Sequence, residues 1–247
     1  MAQKKQRLDI LVAARGLAPS REQAQRLILA GAVLVNGQPA LKAGQGYAGD
    51  VAIEVAAAPR FVGRGGDKLE AAFARFGLDV RGLICLDVGA STGGFTDCLL
   101  QHGAARVYAV DVGHGQLDWR LRQDPRVVVH EGINARQLDP ALFPEPPSFG
   151  VVDVSFISLT LVLPAVTSVL PPGAGLVTLI KPQFEAGRAE VGRGGVVRDE
   201  AVRLATIERV RSTLAARLPL EWRDGMDCPV HGPAGNIEYL AYWQVKR

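Results

Sequence analysis

The stretch Leu83-Ile84-Cys85-Leu86-Asp87-Val88-Gly89-Ala90-Ser91-Thr92-Gly93-Gly94-Phe95-Thr96 runs from an apolar strand through a glycine turn into a helix, which places a ligand at the carboxyl edge of that strand. A dinucleotide fingerprint would have glycine where Ser91 stands, so that backbone could approach a pyrophosphate, and a carboxylate at Asp87 would repel that group. The same carboxylate can attract a cationic methionine moiety, so the turn favours S-adenosylmethionine over NAD. Asp87, Gly89, Ser91, Gly93, Gly94 and Phe95 are therefore candidate cofactor contacts. Val107-Tyr108-Ala109-Val110-Asp111 ends in an acid about 22 residues after Gly89, where a carboxylate can accept both ribose hydroxyls. Asn134 follows the next strand and either approaches the adenine or fills a turn. Two more apolar runs end in Asp153 and Lys181. A charged lysine at the mouth of an apolar strand is costly unless partnered, so Lys181 is either a base at the ligand edge or one half of a structural ion pair with Asp153.

These groups can meet only if their strands lie parallel with the carboxyl ends together. The pattern predicts a helix at 68–76, strand 83–88, helix 94–102, strand 106–111, helix 115–122, strands 127–130 and 149–154, helix 159–170 and strand 175–180. Such alternation means a parallel sheet covered by helices on both faces. A long amphipathic helix at 198–217 and two strands near 220–227 and 237–245 complete it as an antiparallel hairpin. Between Lys181 and the long helix, the glycines and arginines of 183–195 predict either a mobile lid, with Arg188 and Arg193 on phosphates, or an inert flexible loop.

Ahead of this body lies a different module. Leu8, Leu11, Val12 and Ala14 have helical spacing up to Gly16, and Ser20 with Gln23 makes a capping box for a second helix ending at Gly31. Val33-Leu34-Val35 reads as a strand, Asn36-Gly37 as a hairpin turn and 51–55 as another strand. Residues 1–60 hold eight basic and four acidic residues, so they carry +4 of the chain's net +3 and leave −1 for the rest. Lys4, Lys5, Arg7, Arg21 and Arg26, with Arg60 and Arg64 of the basic glycine-rich stretch that follows, either meet a phosphate backbone or form a solvated face with no partner. The expected domains are 1–60, a linker at 61–67, and 68–247.

The 247 residues are 48% hydrophobic and 21% charged, which suits a folded α/β protein and excludes disordered and collagenous chains. No run approaches the roughly 18 apolar residues of a spanning helix, and the first residues lack a signal peptide's apolar core, so the expected location is the cytoplasm. Cys85, Cys98 and Cys228 form no C-x-x-C pair, and His102, His114, His130 and His231 do not stand beside them at ligand spacing. Neither a disulfide framework nor a metal site is expected.

Residues 7–37, with their G-L-x-x-S-R step and closing G-x-V-x-V-N-G, resemble the S4 RNA-binding domain. From Gly65-Gly66-Asp67-Lys68-Leu69 to Ile237-Glu238-Tyr239-Leu240 the chain resembles the FtsJ-like ribose 2′-O-methyltransferases, and the two together resemble the TlyA (hemolysin A) family. The resemblance implies a Rossmann-like class I methyltransferase, its parallel sheet ending in an antiparallel hairpin, preceded by a small α+β S4 domain. It implies S-adenosylmethionine as cofactor and ribosomal RNA within ribosomal subunits as partner, with cytidine riboses as targets. The family's Lys-Asp-Lys-Glu tetrad falls on Lys68, Asp153, Lys181 and Glu238. Lys181 would then take the 2′-hydroxyl proton, Lys68 would hold the nascent alkoxide, and the two acids would orient the amines, with no metal required. Two other classes stand beside this one. A non-catalytic ribosome-binding or assembly factor has no use for the complete turn and tetrad, and a membrane-active hemolysin lacks a spanning segment.

Overall fold

Apolar residues three and four apart at Leu8, Leu11 and Val12 turn one face of the first helix inward, and Ala24 and Ile28 do the same for the second. The computed structural model describes residues 5–29, 31–55, 60–232 and 234–246. The chain divides into two compact units, Met1–Arg60 and Phe61–Arg247.

In the first unit a short strand β1 (Gln6–Arg7) leads into α1 (Leu8–Ala14), and Gly16 at φ +71° turns the chain towards α2 (Arg21–Leu29). Ser20 Oγ accepts the Gln23 N–H at 3.1 Å and so caps α2. Strands β2 (Val33–Val35) and β3 (Gln38–Pro39) form a hairpin across Asn36 and Gly37, whose φ of +51° and +75° are those of a type I′ turn. The strand β4 (Gly46–Tyr47) pairs with β1, and β5 (Ile53–Val55) with β2. Leu8, Val12, Ala24, Ile28 and Val33 are fully buried between helices and strands.

The second unit begins at the stretch expected to be a linker. Phe61 is buried in a core cluster with Leu69 and Phe95, and α3 (Gly65–Phe76) starts three residues earlier than expected. The glycines here serve close packing. A Cβ on Gly66 would lie 2.2 Å from the Phe61 ring, and one on Gly94 would lie 2.8 Å from the Gly66 nitrogen. Residues 61–67 are therefore part of the body, because its first helix needs them to sit on the glycine turn.

The sheet holds β6 (Ile84–Val88), β7 (Arg106–Val110), β8 (Val127–His130), β9 (Phe149–Val152), β10 (Gly175–Ile180), β11 (Leu220–Asp227) and β12 (Tyr239–Val245). Their order is β11-β12-β10-β9-β6-β7-β8, and β12 alone runs antiparallel to its neighbours. Helices α4 (Gly94–Gln101), α5 (Trp119–Gln123), α6 (Leu159–Val169), α7 (Pro182–Glu185) and α8 (Glu200–Arg217) connect the strands. Along β10, Leu176 and Ile180 enter one core while Val177 and Leu179 enter the other, so both faces are covered. Trp243, fully buried on β12, still satisfies its indole by donating to Thr178 Oγ1 at 3.0 Å. The helix expected from 115 starts only at Trp119, because the Asp118 side chain accepts the Arg120 N–H and caps it there. From β6 the chain winds outward to β8 and returns to β9 on the other side, which opens a crevice at the carboxyl ends of β6 and β9. Among the described residues no helix is long and apolar enough to cross a membrane.

Candidate active site

Two cavities occupy that crevice. The smaller, about 510 Å³, is lined by Asp111, Val112, Gln116, Ile133, Asn134 and Arg136, and the larger, about 590 Å³, by Arg64, Lys68, Phe95, Lys181, Gln183 and Glu238 among others. Gly89, Ser91, Asp153, Ser155 and Phe156 line both, so the cavities meet along the ends of β6 and β9.

Asp111 follows β7 and holds the turn that shapes the smaller cavity. Its Oδ2 accepts the Ser91 N–H at 2.8 Å and its Oδ1 the Gly113 N–H at 2.7 Å. Each carboxylate oxygen keeps a second lone pair for a ribose hydroxyl. Gly89 passes so close to β9 that a Cβ would lie 2.5 Å from the Asp153 carbonyl, and Ser91 takes the left-handed conformation at φ +49°. Asn134 does both things expected of it. Its Oδ1 caps a short 3-10 turn by accepting the Arg136 N–H, and the residue lines the cavity. Volume, a carboxylate beside the glycine turn and an apolar floor at Val110 and Ile133 suit the nucleoside end of S-adenosylmethionine.

Two of the residues expected on the cofactor lie beneath the turn instead. Asp87 is fully buried, its Oδ2 accepts from Thr96 Oγ1 at 2.7 Å, and Oδ1 is without a hydrogen-bond partner among the described residues. Burial, more than the nearby Asp153 and Asp111 charges, pushes its carboxyl up to about 7. Asp87 thus anchors the start of α4 and lines neither cavity. Gly93 is buried at φ +97°, and a Cβ there would strike Leu121 of α5 at 2.2 Å, so packing against that helix demands the glycine.

Lys68, Asp153, Lys181 and Glu238 come together in the larger cavity from α3, the ends of β9 and β10, and the residue before β12. Lys68 Nζ donates to Glu238 Oε2 at 2.6 Å and lies 3.8 Å from Asp153 Oδ2. Lys181 Nζ lies 2.5 Å from Asp153 Oδ1 and donates to Ser155 Oγ at 2.8 Å. Lys68 and Lys181 are each 8% exposed and Glu238 1%. Burial pulls the Lys68 ammonium down, but Asp153 and the hydrogen bond to Glu238 outweigh it and leave the group above the ordinary lysine range. The ion pair foreseen between Lys181 and Asp153 is present, and it sits on the cavity wall.

Four further residues complete the site. Ser155 accepts from Lys181, and Gln183 donates to Glu238 Oε1 at 3.2 Å. Phe156, 89% exposed and in the left-handed region at φ +64°, packs on Phe184 with ring centroids 4.9 Å apart. Glu185 accepts from Ser158 Oγ at 2.6 Å and from the Leu159 N–H at 2.7 Å, and burial raises its carboxyl despite both bonds. Residues 181–185 thus clamp the loop 153–159 at several points. Their adjacency to Lys181 and Asp153 was the only sequence signal for them.

The basic residues are less uniform. Arg64 lines the larger cavity, while Arg60, Arg188 and Arg193 are exposed. The expected lid is pinned at its far end, where buried Asn236 donates to the Gly195 carbonyl at 2.8 Å and accepts the Val197 N–H at 3.0 Å. In the first unit Lys5 and Arg26 are exposed, and Lys4 lies outside the described residues. Arg7 and Arg21 both grip fully buried Asp9, at 2.9 and 3.0 Å, while about half of each side chain stays exposed. Arg7, ahead of Gln25 and Arg21, holds the Asp9 carboxyl well below the usual range. The two guanidiniums are thereby fixed in place on the surface.

Both units have relatives among known proteins. The model of the FtsJ-like methyltransferases matches residues 61–244, and that of the S4 domain residues 6–46. The 16S/23S rRNA (cytidine-2′-O)-methyltransferase TlyA of Mycobacterium tuberculosis is 46% identical over 97% of this chain and 90% of its own. A Brachyspira hyodysenteriae protein named Hemolysin A is 45% identical over 97% of this chain and all of its own. A solved structure from Streptococcus thermophilus, which carries a provisional hemolysin name, is 44% identical, has a TM-score of 0.75, and is covered over 90% of its length by 99% of this chain.

Proposed function

The chain belongs to the FtsJ-like methyltransferase family, with an S4 domain ahead of the catalytic unit, and on that premise we propose that it methylates the 2′-hydroxyl of cytidine riboses in ribosomal RNA. The observation that carries the reading is the seam between the cavities, where two buried ammonium–carboxylate pairs face a nucleoside-sized cavity across Asp153, Ser155 and Phe156. Relatives named as ribosomal RNA (cytidine-2′-O)-methyltransferases support the choice of RNA and nucleoside.

S-adenosylmethionine, when bound, supplies an electrophilic methyl group on a positively charged sulfur. Asp111 would hold its ribose, Gly89 and Ser91 would flank it, and Phe95 would border its methionine end. A ribose hydroxyl is a weak acid and must lose its proton as it attacks, so a base is needed at the seam. Once it has given up its own extra proton and stands as the neutral amine, Lys181 takes the hydroxyl proton on the Nζ lone pair, its position set by Ser155 and Asp153. Lys68, neutralised by Glu238, keeps a fixed cation for the oxygen as charge develops on it. Gln183 steadies Glu238, and Phe156 offers a flat face to the target base. Arg64, Arg188 and Arg193 meet phosphates near the site, and the positive first unit adds sequence-independent affinity. The protein would act in the cytoplasm, where ribosomal subunits are.

Incubating the full chain with ribosomal subunits and methyl-labelled cofactor, then mapping the label, tests this. We expect 2′-O-methylcytidine in ribosomal RNA. Label on a base, or none, would overturn the reading, the latter in favour of a non-catalytic ribosome-binding factor.

A further inference from the structure

On the helical face of the second unit, away from both cavities, α3 and α4 bring a carboxylate, a thiol and an imidazole together. We propose that Glu70, Cys98 and His102 form a binding site for a thiophilic divalent cation, for which zinc is the fitting ion. One ligand atom from each lies within 4.8 Å of the other two, so a single ion can reach all three. Cys98 and His102 are one helical turn apart on or just beyond α4, and Glu70 faces them from α3. His102 Nε2 stands 2.7 Å, and Cys98 Sγ 3.8 Å, from the same Glu70 oxygen. The imidazole is held flat on Phe73, with ring centroids 3.8 Å apart and planes 9° apart, so its nitrogen keeps this aim. Cys98 is fully buried while the His102 and Glu70 side chains are 28% and 31% exposed. An ion could therefore enter from solvent and keep a fourth position for water.

Sulfur, nitrogen and oxygen donors within reach of a single ion suit zinc over hard, oxygen-seeking cations. Binding would displace the thiol proton to solvent and leave a zinc–thiolate bond. The ion would tie the end of α4 to α3 two residues after Lys68, a clamp on the framework and not part of methyl transfer. Sequence spacing gave no metal signal because only two ligands are near in the chain, and a C-x-x-x-H pair lacks a third until α3 packs on α4.

The test uses the full chain, stripped with chelator and given zinc alone. We expect one zinc per chain and, at about 100 times the dissociation constant, a rise in Tm of roughly 5–10 °C. Cobalt in place of zinc should give a sulfur-to-cobalt charge-transfer band. Cys98→Ser and His102→Gln should each abolish band and shift, whereas Cys85→Ala should keep both. His102→Gln, at a partly exposed position, carries the test should Cys98→Ser fold poorly. A chain that retains no zinc, or retains it undiminished in His102→Gln, overturns the site. Loss of methyl transfer in the zinc-free wild type, well below its Tm, would overturn the purely structural role.

Discussion

Glu238→Gln leaves the shape of the site intact and removes one charge from a buried pair. Lys68 then keeps an ammonium at 8% exposure with only Asp153, 3.8 Å away, to compensate it. Breaking a buried ion pair from one side costs about 3–5 kcal/mol, and the residual partner sets the expectation near the lower end, about 3 kcal/mol. For a unit of this size that is a fall in Tm of roughly 6–12 °C. Trp119, Trp222 and Trp243 all lie in the second unit, so tryptophan fluorescence during thermal unfolding reports on it alone. Lys68→Met combined with Glu238→Gln removes both charges and should recover most of the loss while remaining inactive in methyl transfer. The sign of the pH dependence follows from the raised Lys68 value. The pair's contribution is whole below the ordinary lysine range, about pH 10, and is lost as pH climbs through the higher folded value. A single variant within about 0.5 kcal/mol of wild type, or a double variant no more stable than the single, would refute the claim that this pair is coupled and desolvated.

Lys181→Arg keeps the charge but cannot shed a proton, so turnover should fall roughly 10²-fold or more with cofactor binding retained; near-normal turnover would remove Lys181 as base and leave only electrostatic positioning. Asp111→Ala should weaken S-adenosylmethionine binding about 10- to 100-fold by calorimetry, the loss of charged hydrogen bonds to the ribose, and unchanged affinity would move the ribose elsewhere. Asp87, pushed up to about 7, holds a proton between about pH 4 and 7 that the unfolded chain has released. Stability should therefore decline across that interval by at most about 4 kcal/mol, and Asp87→Asn should flatten the decline and exceed wild type at pH 8; an unchanged slope would acquit Asp87.

Much of this was readable along the chain where a local signal and a tertiary demand coincide. The strand at 175–180 and the strand at 220–227 fall where their apolar patterns put them, and the Asn36-Gly37 turn has the backbone its residues prefer. Lys68 and Glu238 were legible only through the resemblance, since 170 positions separate them, whereas Asp153 and Lys181 show at the ends of their apolar strands. Glycine misled twice. At Gly65 and Gly66 it reads in sequence as a linker, and at Gly93 as a cofactor contact, whereas each permits two elements to touch. Asp87 misled for a related reason: a carboxylate at a strand end looks the same in sequence whether it faces a cavity or the underside of a helix.

The strand order has a consequence in time. β12 lies between β10 and β11, yet it is made after both, and the residue just before it is Glu238. While the chain is being synthesised, β10 waits with an open edge and Lys68 waits for its carboxylate partner, so the unit cannot close element by element behind the growing end. Insertion of β12 would then be at once the last folding step and the step that brings Glu238 to Lys68. Any interruption of translation before residue 239 leaves an exposed sheet edge that invites aggregation.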